Sequence, residues 1–239
     1  MDDGLCASSP ARAVSLTATI IERLRNDIIN GTIPLGSLLS EKTLAEEYGV
    51  SKTPVREALV QLQSLGLVAI LPQRGGLVFH PDAEQVRELC EVRLELESAA
   101  LRFAMRRDRA GLLEALSAVV QQMVACFDLD ICAAYQVLDN EFHTTIFRFA
   151  GNRLLSQTYA TLSPRISALR TRLTAPQSYM LKRSIEEHRL FLELVESNAV
   201  RDALQLLSEH IGRTQVYHSR AAEELVVERP IRRRRPRRQ

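Results

Sequence analysis

Four side chains of metal-ligating type recur in this 239-residue sequence where helical periodicity turns them inward: Asp139, His143, His188 and His210. Asp139 and His143 stand four residues apart on the edge of an apolar stripe of Tyr135, Leu138, Phe142 and Ile146, so one helix face presents a carboxylate and an imidazole together. His188 falls in line with Leu181, Ile185, Leu192 and Val195, and His210 with Ala203, Leu206, Leu207 and Thr214. With Asn198 as the turn between two antiparallel helices, His188 lies ten residues before it and His210 twelve after. At roughly 1.5 Å per residue the two reach about the same height. Any one of these histidines is more often a satisfied core residue than a ligand. Burying all four polar groups without a common partner, however, would cost several kcal/mol. One carboxylate oxygen and three imidazoles suit a divalent transition metal (Zn, Ni, Mn or Fe) and leave a coordination position for water or a ligand. His80 and His218 fall outside these stripes and receive no role.

The elements that must position this set are helices. From Asp82, which with Gln85 makes a capping box, to about Arg220 the pattern reads as six or so amphipathic helices. Breaks are expected near Arg107-Asp108, Leu129-Asp130, Gly151-Asn152, Thr174 to Pro176 and Ser197-Asn198, and Pro164 is expected to kink or split one segment. Ahead of them, Leu16, Ile20, Ile21, Leu24 and Ile28 form a helical stripe stopped by Gly31. Ser40 caps a second helix that Gly49 ends. A third comes next with Thr53 as N-cap, Pro54 in the first turn, and Val55, Leu59 and Leu62 on its apolar face. Leu67 to Leu71 and Gly76 to Phe79, separated by Pro72, Gln73, Arg74 and Gly75, read as a hairpin. A helix, tight turn and helix followed by a hairpin suits a DNA major groove. Lys42, Ser51, Lys52, Thr53 and Arg56 would meet phosphates and base edges, Arg74 at the hairpin tip would enter the minor groove, and Gly75 would allow close backbone approach.

The run Leu39 to Leu59, with Leu-Ser-Glu, Leu-Ala, Gly-Val-Ser and Thr-Pro-Val-Arg-Glu-Ala-Leu, resembles the winged-helix signature of the GntR family of bacterial transcription regulators. The family usually has Arg where this chain has Lys52, a point charge in place of a planar fork. Six to seven helices after a winged helix resemble the FCD effector domain of the FadR subfamily, and the likeness spans nearly all of residues 12–220. It implies an Asp-x3-His, His, His metal site at Asp139, His143, His188 and His210. It also implies a ligand-carboxylate anchor at Arg93, which with Glu97 matches the Arg-x3-Glu that opens such domains, and a pocket position at Asn152, whose local alternative is a helix N-cap. A homodimer on a palindromic double-stranded operator, responsive to a small organic acid, is implied by the same resemblance.

Composition agrees with a mainly α protein: 46% hydrophobic, 25% charged, no Trp, and few Gly or Pro. The expected layout is a disordered start over 1–11, a winged helix over 12–80, an antiparallel bundle of six to seven helices over 81–222 and an Arg-rich disordered tail over 223–239. The formal charge is +2, but Arg229 to Gln239 hold seven arginines and no acid, so the rest carries −5 and any DNA binding must use a local basic patch. No signal peptide or membrane-spanning stretch is expected, which places the protein in the cytoplasm. The four cysteines, Cys6, Cys90, Cys126 and Cys132, lack CxxC spacing and read as idle thiols. Two alternatives stay open: a metal-dependent hydrolase, for which no general base or catalytic motif is evident, and a purely structural metal site.

Overall fold

A computed structural model describes residues 15–128, 132–173 and 178–227. In α1 (Leu16–Ile29), Ile20, Leu24 and Ile28 share the buried face, Ser15 caps the start by accepting from the Ala18 N–H, and Gly31 takes the left-handed conformation just past the end. α2 (Glu41–Tyr48) is capped by Ser40 and closed by a left-handed Gly49. α3 (Lys52–Ser64) begins earlier than Thr53 as cap requires: Ser51, with extended backbone, is its N-cap, and Pro54 sits in the first turn, where an N–H has no intrahelical partner anyway. The expected hairpin is β2 (Val68–Leu71) and β3 (Gly75–Val78).

A third strand, β1 (Leu38–Leu39), joins the hairpin, and the sheet order is β1-β3-β2 with antiparallel pairs such as Leu39 with Gly76 and Val68 with Val78. This revises the expectation for Gly75. Its φ is +91°, and a Cβ there would overlap the Leu39 carbonyl oxygen, so the close approach that glycine allows is to the protein's own β1.

The second part of the chain consists, among the described residues, of six helices: α4 (Ala83–Arg107), α5 (Arg109–Asp128), α6 (Cys132–Ala150), α7 (Arg153–Leu173), α8 (Ser178–Glu196) and α9 (Val200–Val227). Asp82 and Gln85 form the full capping box of α4. α4 packs on α6 and α9, and α5 packs on α6 and α8. Asn198, in the left-handed region with φ +58°, makes the α8–α9 turn. The expected breaks at Leu129-Asp130 and Thr174 to Pro176 and residues 1–11 lie outside the described residues, as does the expected tail from residue 228 on; residues 223–227 of that tail are instead the last turn of α9. Pro164 neither splits its segment nor ends it: α7 runs through it as one helix.

The stretch Arg109–Phe127 is, contrary to expectation, long and apolar enough to cross a bilayer, with a mean hydropathy of 1.5. In the fold it is α5, with Leu112, Leu116, Val119, Val120 and Met123 buried in the bundle core. Two apolar cores result, one under the winged helix and one in the bundle, and α7 touches both because its Ala168 is fully buried in the first. Cys90 and Cys126 are free thiols, and burial raises the Cys90 pKa.

Candidate metal centre and nucleic-acid interface

The structure brings Asp139, His143, His188 and His210 together: one ligand atom from each lies within 4.8 Å of all the others. α6 places Asp139 and His143 one turn apart, both buried, because Leu138, Phe142 and Ile146 hold that face in the core. α8 and α9, turning at Asn198, set the His188 and His210 rings 5.2 Å apart, and His143 lies 5.3 Å from His210.

Two of the imidazoles have carboxylates behind them. His143 Nδ1 lies 2.7 Å from Glu97 Oε2 on α4, and His210 Nδ1 lies 2.8 Å from Glu187 Oε2 on α8. A carboxylate can only accept, so each Nδ1 donates and each Nε2 is unprotonated, the tautomer a metal needs, although the His143 Nε2 lone pair accepts from Arg93 at 3.1 Å in this structure. Buried His188 has no hydrogen-bond partner on either ring nitrogen and stands 3.6 Å from Asp139 Oδ1. A buried imidazole with no hydrogen-bond partner among the described residues, set among three other donors, fits a shared cation better than it fits a core packing role.

The electrostatics agree. Burial pushes His143 down to about 4 and His188 well below its ordinary value, so both rings are neutral near pH 7. Burial alone would raise Asp139, but the Arg170 guanidinium and the neighbouring histidines outweigh it and hold the carboxyl well below the usual range. Glu97 is depressed in the same way: burial opposes ionisation, and Arg93 and His143 overcome it. Glu187 is held down at about 2, burial being outweighed by hydrogen bonds from His210 and Arg213.

Arg93 is inward, as its stripe suggested, but its partners differ from those of a ligand anchor. Its Nε donates to Glu97 Oε1 at 2.6 Å, a second nitrogen lies 3.1 Å from His143 Nε2, and Tyr159 Oη donates to the same Glu97 oxygen at 3.1 Å. Arg93 therefore braces the Glu97–His143 pair.

Beside the four donors opens a cavity walled by Gln136, Asp139, Arg170, Glu187, His210 and His218, among others. About 70 Å³ of it admits the centre of a water-sized sphere, room for several waters or a small organic acid. Asn152 does not line this cavity; it caps α7, accepting from the Leu155 N–H at 3.1 Å. Arg170 on α7, to which periodicity gave no role, donates its Nε to Asp139 Oδ2 at 3.0 Å, while both terminal nitrogens are buried with no hydrogen-bond partner among the described residues. His218 is also buried here, its pKa pushed down by burial to about 3. A signal for it existed, since His210, Thr214 and His218 recur every fourth residue on one face of α9.

At the other end, Lys42, Ser51, Lys52, Thr53, Arg56 and Arg74 are all exposed. Lys42, Lys52, Arg56 and Arg74 line one groove between the N-terminal ends of α2 and α3 and the β2–β3 tip. Arg56 is not free in solution but held as a fork on Glu41, with contacts of 2.8 and 3.1 Å. Lys42 pairs loosely with Glu46 at 3.8 Å.

Both parts of the chain match known families. Residues 16–78 match the family of bacterial regulatory proteins, gntR family, and residues 88–213 match the FCD domain. The gluconate operon transcriptional repressor of Bacillus subtilis strain 168 is 27% identical over 213 residues, covering 86% of this chain and 87% of that protein. The HTH-type transcriptional repressor RspR of Escherichia coli K12 is 31% identical over 147 residues, 62% of this chain and 64% of that one. The solved structure of E. coli McbR/YncC superposes with a TM-score of 0.75 at 24% identity, covering 87% of this chain and 98% of the other.

Proposed function

Because this chain belongs to the gntR family of bacterial regulatory proteins and carries an FCD domain, it is a DNA-binding transcriptional regulator and not an enzyme, and we propose that it is a metabolite-responsive repressor. In this reading a cytoplasmic homodimer binds a palindromic operator through two winged helices, and a small carboxylate at a metal-containing pocket in the helical domain controls it. The relatives named as repressors support the sign of regulation. The observation that carries the input side is the convergence of Asp139, His143, His188 and His210 beside a cavity with a cationic wall.

Each end has its own chemistry. Lys52, Thr53 and Arg56 in the first turns of α3 would meet the major groove, with Lys42 and Arg74 on flanking phosphates or the minor groove. Four residues would hold a divalent transition metal, whose contribution when bound is a fixed positive charge with a coordination position for an anionic oxygen. Glu97 and Glu187 orient His143 and His210 for that task, and Arg170 keeps Asp139 ionised and turned toward the cluster. An acid seated there changes operator affinity only to the extent that it prefers one arrangement of the two winged helices. A hundredfold preference corresponds to about 2.7 kcal/mol.

Fluorescence anisotropy on DNA from upstream of the chain's own gene tests this, at fixed salt, with and without candidate acids and with and without a chelator. The expected result is two chains per site, release by an acid, and loss of that release after chelation. Operator binding that ignores every acid, or an acid response that survives complete metal removal, would leave the metal a structural part only.

A further inference from the structure

If an acid binds beside the metal centre, as proposed for the regulator's input, the cavity wall narrows the kind of acid; the inference rests on that proposal. Arg170 is 5% exposed and spends only its Nε on Asp139. Among the described residues its two terminal nitrogens, both buried, have no hydrogen-bond partner, and the residue itself lines the cavity. Unpaired donors on a buried cation are costly, and the fork they form matches the two oxygens of a planar carboxylate. A second orphan belongs to the same wall: the buried Oε1 of Gln136, three residues before Asp139 on the same helix face, has no hydrogen-bond partner among the described residues. An amide group offers an acceptor and a donor, and a hydroxyl can answer either one.

A plain alkanoic acid satisfies the guanidinium and leaves Gln136 unpaired. A hydroxy acid satisfies both. We propose that Arg170 is the carboxylate anchor of this regulator, in the place that family resemblance gives to Arg93, and that Gln136 makes the pocket selective for hydroxylated acids over their unsubstituted counterparts. A site built to pair a hydroxyl rejects the analogue lacking it more strongly than an apolar site can reject one methylene.

Calorimetric titration of the full-length, zinc-loaded protein with two matched pairs of probes, lactate against propanoate and gluconate against hexanoate, tests both assignments. The hydroxylated member of at least one pair should bind wild type at least tenfold more tightly. Gln136→Leu, which leaves Arg170 and the four donors untouched, should erase that preference while keeping affinity for the plain acid. Arg170→Lys, a cation without the fork, should weaken both members of the pair at least tenfold, with zinc content measured in parallel so that any metal loss is counted separately. Equal binding of both members to wild type, or a Gln136→Leu protein that keeps the preference, would overturn the selectivity. Unchanged affinity in zinc-replete Arg170→Lys would overturn the anchor. A wild-type protein that holds zinc and shifts DNA but binds no acid would instead remove the effector proposal beneath both.

Discussion

Replacing Glu187 by glutamine distinguishes a metal centre from a polar cluster that merely fills space. Glu187 Oε2 takes the His210 Nδ1–H at 2.8 Å, and its other oxygen meets Arg213 and, at 3.1 Å, Arg183. With the carboxyl held at about 2, the side chain is a full carboxylate at neutral pH, which fixes the imidazole tautomer and makes its Nε2 more basic. Glutamine keeps the shape but loses the charge. Removing such a partner typically weakens metal binding about 10- to 100-fold, or ~1.4–2.7 kcal/mol. Fold stability should move by less, about 0–1 kcal/mol, because Arg183 and Arg213 are respectively 45% and 27% exposed and solvent screens their pairing. Glu97→Gln provides the contrast. Glu97 is wholly buried, and neutralising it strands Arg93, so that variant should lose metal affinity and also about 3–5 kcal/mol of stability. Competition with a chromogenic chelator reads the first quantity, and denaturation in chelator reads the second. If Glu187→Gln keeps wild-type metal affinity to within about twofold, where loss of a ligand's carboxylate partner should cost at least about tenfold, His210 is not a ligand and the four-donor site is wrong.

Four further outcomes are expected. Arg56→Ala should abolish specific operator binding while leaving the melting temperature nearly unchanged, since its exposed pair with Glu41 stabilises the fold little; equal operator affinity in a salt-controlled titration would remove Arg56 from the interface. In chelator, stability should fall as pH drops below about 6.5. The folded His218 pKa is near 3, so the unfolded chain takes up that proton first, and His218→Gln should reduce the slope by about 1.4 kcal/mol per pH unit. Gly75→Ala should destabilise the winged helix by about 1–3 kcal/mol through its positive φ and its clash with β1, visible as faster amide exchange in β1 and β3. Ala168→Leu should overpack the seam between α7 and the winged-helix core by about 1–3 kcal/mol, altering DNA affinity or its acid response while metal affinity stays the same; loss of metal instead would show that the strain spreads into the bundle.

Whatever repeats along one helix could be read ahead of the structure. Tyr135, Leu138, Phe142 and Ile146 announce a buried face, and Asp139 and His143 must share it, so the four-donor cluster was within reach of periodicity. The groups behind that set were not, because their partners are distant in sequence. Glu97 was visible only as the i+4 neighbour of Arg93, and nothing local says that it also meets a histidine 46 residues on. Glu187 lies off the apolar stripe of α8, and its meaning comes from α9. β1 is two residues long, below any alternation signal, and exists because β3 offers it a partner. Arg170 did leave a mark, a charge in step with Ile166 and Leu169, but an arginine on an apolar stripe reads equally well as one that extends its head to water.

Proline removes one backbone donor, the reason to expect a kink or a split at Pro164. The helix instead continues from Arg153 to Leu173, and its continuity gives the residues beyond the proline their sense. Arg165 lies across Gly66 just past the end of α3, where a Cβ would come within 2.9 Å of it. Ala168 fills the winged-helix core, and Arg170 grips a member of the metal set. These three residues span under two turns of one helix, about 8 Å at 1.5 Å per residue. One helix thus holds a contact with the DNA-binding domain and a contact with the four-donor cluster, with no loop between them.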